Sequence, residues 1–180
     1  MRFNLIDRVE SVSPQRLVGV KYVSLAEEYL ADHFPTFPVL PGVLMLEALT
    51  QAATWVLHQR HDFQCSIAVL KEARNVKYGS FVPPGKHLRV EVTLTKEVDG
   101  VASFTANGTV EQANGTSSPG SSTQAVSARL QIAYFNLARQ VPALADIDRR
   151  LVEHARQRWA LIAPATAAGV SIATAGAVSL

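Results

Sequence analysis

The stretch HFPTFPVLPGVLMLEALTQ, residues 33–51, runs from one histidine through three prolines into an apolar segment that carries a single carboxylate. Pro41 suits the first turn of a helix, where its missing N–H costs nothing, and Gly42 follows it. From Val43 to Leu57 the pattern predicts a helix that is apolar on almost every face, with Val43, Leu44, Met45, Leu46, Leu49, Ala52, Ala53, Trp55 and Val56. A helix of that kind is buried on most sides. Glu47, Gln51, Thr54 and His58 fall at steps of four, three and four, so they form one thin polar seam. The reading is a long core helix, and the rest of the chain has to supply what wraps it.

Working outward, residues 4–12 and 16–23 are rich in Leu, Ile and Val around Ser13-Pro14, which predicts a hairpin. Residues 26–32 (AEEYLAD) predict a short helix stopped by the prolines. Residues 66–78, 87–98, 101–111 and 125–135 read as strands. Leu88 to Leu94 alternates apolar and polar, the pattern of a half-buried antiparallel strand. Pro83-Pro84-Gly85 and Asp99-Gly100 supply turns, the second a hairpin signal. One long helix with five or six antiparallel strands predicts an α+β domain, a sheet wrapped round a buried helix.

Residues 1–136 are expected to form that domain. Residues 114–124 (NGTSSPGSSTQ) read as a polar, flexible excursion between two strands. Residues 137–159 are set apart as a C-terminal segment. Within it, residues 142–159 predict an amphipathic helix with Leu144, Ile147, Leu151, Ala155 and Trp159 on one side. Residues 160–180 are uncharged, broken by Pro164 and glycines, and too weakly apolar for a membrane span. They read as a loose tail.

A chain of 180 residues that is 48% hydrophobic can build one core. Its formal charge of +2 gives no support to nucleic-acid binding. The single cysteine, Cys65, excludes an internal disulfide framework and fits a reducing compartment. Charges at Arg2, Asp7 and Arg8 stand where a signal peptide would need an apolar run, so a cytoplasmic setting is expected. His58, His61, Asp62 and Cys65 are metal-ligand types, but their spacing fits no standard zinc site, and a solvated helix end is the better reading. Lys71, Arg74, Lys77, Lys86 and Arg89 suit either an acidic partner or plain solvation.

His33-Phe34-Pro35, Pro38, Pro41-Gly42, Glu47 and Gln51 together resemble the signature of the β-hydroxyacyl-(acyl carrier protein) dehydratases, the FabZ/FabA family of hotdog folds. The resemblance extends upstream to FNLIDRV and downstream to Phe81-Val82-Pro83-Pro84-Gly85, roughly residues 3–134 in all. Glutamate at position 47 is similar to the FabZ-type enzymes. The family commonly carries glycine where Asp32 and Thr36 stand here. It also often has two basic residues after an aromatic, where Tyr78 is followed by Gly79-Ser80.

The resemblance implies dehydration of 3-hydroxyacyl groups carried on acyl carrier protein, in fatty acid biosynthesis. It also implies a homodimer in which the histidine and the acid of one site come from different subunits. His33 would be the base, since imidazole titrates near neutrality. Glu47, expected to be buried among apolar groups, would be the acid or water-orienting group, because desolvation favours its protonated form. Gly42 would present the helix N-terminus to the thioester oxygen, and Gln51 would support Glu47. No metal or redox cofactor is called for, because the phosphopantetheine arm arrives with the substrate. The alternatives are a hotdog thioesterase and a non-catalytic acyl-binding partner subunit.

Overall fold

The computed structural model describes residues 3–112 and 123–164. In chain order the elements are β1 (Arg8–Val12), β2 (Arg16–Tyr22), α1 (Gly42–Arg60), β3 (Ile67–Tyr78), β4 (Lys86–Val98), β5 (Val101–Gln112), β6 (Thr123–Phe135) and α2 (Ala145–Ile162). All six strands form one antiparallel sheet in the order β1-β2-β4-β5-β6-β3. The sheet wraps α1, the α+β hotdog arrangement expected from the sequence.

The core follows from two periodicities. On α1, Met45, Ala48, Leu49, Ala52, Ala53 and Val56 recur every three or four residues and are all essentially solvent-free. The alanines keep the helix surface low, so a curved sheet can close on it. On β4, Leu88, Val90 and Val92 face in and are fully buried. Arg89 and Glu91 face out into an ion-pair ladder with Glu10 and Arg16. Phe104, Leu130 and Ile132 complete the inner face. Each large side chain buried in this way contributes about 1.5–3 kcal/mol. The β4–β5 turn is Asp99-Gly100, both at positive φ (50° and 74°), as the twist of a tight hairpin requires.

Several expectations change. The segment 26–32 forms only a single 3₁₀ turn, Glu28–Leu30. It is held to the sheet by buried Leu30 and by Lys21, whose ammonium lies 2.6 Å from Glu27. α2 begins at Ala145, after a 3₁₀ turn at Pro142–Leu144, and runs on to Ile162. Its inward stripe includes Asp148, Trp159 and Ile162, while Ile147 stands 46% exposed. The phase is set by Asp148, whose carboxylate accepts hydrogen bonds from the Ser66 hydroxyl and from the backbone N–H of Leu137 and Ala138. A buried carboxylate needs that many donors, and meeting them turns Ile147 outward. The polar excursion expected at 114–124 lies outside the described residues up to 122, and so does the tail from 165. No helix among the described residues is long and apolar enough to cross a membrane.

Candidate active site at the N-terminus of the central helix

Residues 33–41 form a cross-braced loop against the start of α1. Val39 N–H donates to the His33 carbonyl (3.1 Å), and Phe34 and Phe37 exchange both of their backbone hydrogen bonds. Val39 and Leu40 are buried, and Leu40 N–H is fixed on Val82 O at 2.9 Å. The His33 ring therefore sits on a braced frame, half-buried. Its Nδ1 lies 3.1 Å from Val39 O. A carbonyl oxygen can only accept, so Nδ1 carries the proton and the neutral ring keeps its lone pair on Nε2. Nε2 is thus the basic atom, oriented through the ring's other nitrogen.

Gly42 opens α1 after Pro41. The carbonyl of Pro41 accepts from Leu44 and Met45, which leaves the N–H groups of Gly42 and Val43 without a partner within the helix. Glu47 lies five residues further on, about 7.5 Å along the axis. Its Oε1 accepts a 2.9 Å hydrogen bond from Gln51 Nε2, as the four-residue spacing predicts. Gln51 does more than the sequence reading assigned to it. Its Oε1 accepts from Leu5 N–H (2.9 Å) and its Nε2 also donates to Phe3 O (3.2 Å), so one amide ties the acid to the N-terminal segment.

The buried setting expected for Glu47 is not met within one chain. Glu47 and Gln51 are half-buried, and Val43 on the same face is 69% exposed. The seam opens on a face of α1 that the sheet leaves uncovered. A cleft of about 520 Å³ is lined by Phe3, Leu5, Tyr29 and Asp32, and neither His33 nor Glu47 lines it. His33 and Glu47 are not hydrogen-bonded to each other in the single chain; their partners are Val39 and Gln51.

The sequence reading missed a set of aromatic contacts, one of them on Gly42. Phe37 and Phe81 stack edge to face with centroids 5.4 Å apart, and both are more than half exposed. Tyr78, the last residue of β3, lays its ring on Gly42: a Cβ built there would be 3.0–3.3 Å from the ring carbons. Gly79 has a separate reason to be glycine, because its Cβ would come 2.4 Å from the carbonyl oxygen of Gln124. That contact explains why no basic residue follows Tyr78. The only sequence signal was an aromatic followed by glycine at a strand end.

The far end of α1 differs from the solvated end expected. His58 is buried, stacked on Phe63 at 5.4 Å, and burial lowers its pKa to about 4. Glu97 accepts from Arg60 Nε (2.7 Å), His61 Nε2 (2.6 Å) and Tyr134 Oη (2.5 Å). Burial pushes the Glu97 pKa up, but these three donors outweigh it and hold the carboxylate below its usual range. Burial and the same carboxylate raise the Tyr134 phenol to about 12. Of the basic residues picked out in the sequence, Arg89 is paired with Glu10 and Arg74 with Glu72.

Comparison with known proteins agrees with this geometry. The chain is 36% identical over 110 residues to the 3-hydroxyacyl-[acyl-carrier-protein] dehydratase FabZ of Solibacter usitatus, covering 61% of this chain and 68% of that one. It is 34% identical over 109 residues to the FabZ of Clostridium perfringens strain SM101, covering 61% and 78%. Among solved structures, the ApeI:P dehydratase heterocomplex from Xenorhabdus doucetiae shares the fold at a TM-score of 0.56 and 19% identity, over 79% of this chain and 90% of that one. A mutant thioesterase from Pseudomonas aeruginosa shares it at 0.52 and 15%, over 72% and 81%. The model of the FabA-like domain matches residues 1–115, and the chain belongs to that family.

Proposed function

We propose that this chain removes water from 3-hydroxyacyl thioesters carried on acyl carrier protein, giving trans-2-enoyl thioesters for fatty acid biosynthesis in the cytoplasm. The observation that carries this reading is the His33 ring on the loop that leads into α1, whose Nδ1–H is spent on Val39 O so that Nε2 is the basic atom. Nε2 takes a proton from C2. The electron pair becomes the C2–C3 double bond, and the C3–O bond breaks. The departing hydroxyl takes a proton from the Glu47 carboxyl and leaves as water. During the step the thioester oxygen gathers negative charge, and the Gly42 N–H at the helix terminus stabilises it; one such donor is worth about 3 kcal/mol of barrier. Gln51 holds the Glu47 rotamer.

The working unit in this proposal is a homodimer, with the hotdog domain of residues 1–136 as its building block. Two features support it. β3 ends the sheet as a twelve-residue edge strand with Val69 and Leu70 exposed, and open edges invite pairing. The seam with Val43, Glu47 and Gln51 is also uncovered. A twofold partner covers both and brings the His33 of one chain to the Glu47 of the other.

The test is a purified-protein assay with a 3-hydroxyacyl thioester that follows enoyl absorbance and free thiol together. Enoyl product is expected. Free thiol without enoyl moves the assignment to a thioesterase, and binding with neither product moves it to an acyl-binding partner subunit. A mixture of His33→Ala and Glu47→Gln chains, co-expressed so that subunits exchange, tests the shared site. It is expected to recover about a quarter of wild-type activity, since about half the dimers carry one intact site. No recovery with mixed dimers present means that each site is built from one chain.

A further inference from the structure

Two segments converge on Gly42 from different parts of the chain. The loop 33–41 brings His33, and the end of β3 brings Tyr78. The Tyr78 ring carbons Cε1, Cδ1 and Cζ stand 3.0, 3.2 and 3.3 Å from where a Cβ on Gly42 would be, so the ring lies in contact with the Gly42 backbone. The backbone behind the ring is clamped. Tyr78 pairs with Val126, Gly79 N–H donates to Ala125 O at 2.8 Å, and Ser80 N–H donates to Gln124 O at 3.1 Å. Gly79 has no room for a side chain against Gln124 O. The ring can turn about its own χ angles, but its Cα cannot retreat from the helix terminus.

We propose that Tyr78 is a specificity-determining wall of the thioester site, excluding substituents at C2 of the acyl group. The proposal rests on the dehydratase reading above. A thioester oxygen held by Gly42 N–H lies about 2.7–3.1 Å from that nitrogen. The two atoms bonded to the carbonyl carbon are sulfur and C2, and the Tyr78 ring, in contact with the Cβ position of Gly42, borders the Gly42 side of the space they enter. In an unbranched acyl group C2 carries two hydrogens. His33 removes one, and the other occupies the remaining side. A methyl group in its place needs the space the ring fills, and a single methyl or methylene is worth about 10–200-fold in discrimination. The ring acts by its bulk, so the phenolic hydroxyl is not required.

The experiment sets 3-hydroxybutyryl and 2-methyl-3-hydroxybutyryl pantetheine thioesters in competition, with enoyl products read by mass. The full-length wild type is expected to favour the unbranched substrate by at least about tenfold in kcat/KM. Tyr78→Ala is expected to shrink that ratio about tenfold, Tyr78→Leu to shrink it less, and Tyr78→Phe to leave it in place. Tyr78→Leu keeps an apolar side chain beside Gly42, so it gives the reading if the alanine variant fails to fold. An unmoved ratio in the folded Ala or Leu variant, a Phe variant that behaves like Ala, or a wild type indifferent to branching each overturns the wall. Those outcomes leave the dehydratase reading standing. Failure of the wild type to form enoyl product from either substrate overturns both.

Discussion

At its C-terminal end α1 is enclosed. Trp159 of α2 packs on Trp55 at 5.5 Å, Arg156 lies over Phe63 at 5.2 Å, His58 is buried, and Glu97 gathers three donors, from Arg60, His61 and Tyr134. At its N-terminal end the same helix is unfinished. Val43, Phe34, Phe37, Tyr78 and Phe81 are exposed, Glu47 is half-buried, and the N–H groups of Gly42 and Val43 have no partner in the helix. The difference separates two uses of one helix. The closed end supplies stability, and the open end leaves polar and apolar groups exposed, which the proposed function fills with a substrate and a second chain.

The comparison breaks if damage at the open end unfolds the protein or damage at the closed end abolishes the chemistry. His33→Ala carries the largest expected effect, a loss of about 10²–10⁴ in kcat, the ordinary worth of a general base. Its melting temperature should stay near that of the wild type, which calorimetry checks. Trp159→Ala is the mirror experiment. Trp159 is 9% exposed, so truncation should cost about 3–5 kcal/mol and lower the melting temperature by about 10 °C. Activity well below the transition should survive. A Trp159 variant that is stable but inactive would show that α2 belongs to the site.

His58 sharpens the comparison by pH. Its pKa is about 4 in the fold and about 6.5 in an unfolded chain. Between those values the unfolded chain binds a proton that the folded one does not, so stability rises with pH across that window. The contribution is complete above pH ~6.5 and is lost as pH falls towards 4, about 3 kcal/mol in all. His58→Phe removes the titration, so urea unfolding of the two proteins from pH 7 to 4 should lower the wild type's stability relative to the variant's by about 3 kcal/mol. A constant gap would mean that His58 is solvated. The smallest effect is expected at Arg149, which meets Asp146 at 2.7 Å with side chains 75% and 71% exposed. Arg149→Ala should change stability by less than about 0.5 kcal/mol.

The parts of the fold legible in the sequence were those written as a period or a turn. The alternation at Leu88, Val90 and Val92, the three- and four-residue spacing of Met45 to Val56, and Asp99-Gly100 each depend on near neighbours in the chain. What was not legible depended on partners far along it. Asp148 turned α2 because Ser66 and the backbone at 137–138 needed an acceptor. His58 was buried because Phe63, beyond the helix end, folds back and stacks on it. At the site, the Glu47–Gln51 bond followed from the four-residue spacing. The Nδ1 bond that frees Nε2, the tie from Gln51 to Leu5, and the ring of Tyr78 on Gly42 came only from tertiary geometry.

The contact between Gly79 and Gln124 also limits how this surface can evolve. A single base change turns a glycine codon into one for arginine, so a positive charge beside Tyr78 is always one mutational step away. That step meets a carbonyl oxygen 2.4 Å from the new Cβ, so it needs an earlier change that moves β6 outward. A charged residue beside Tyr78 is therefore reachable only along an ordered path, in which the backbone at Gln124 gives way first.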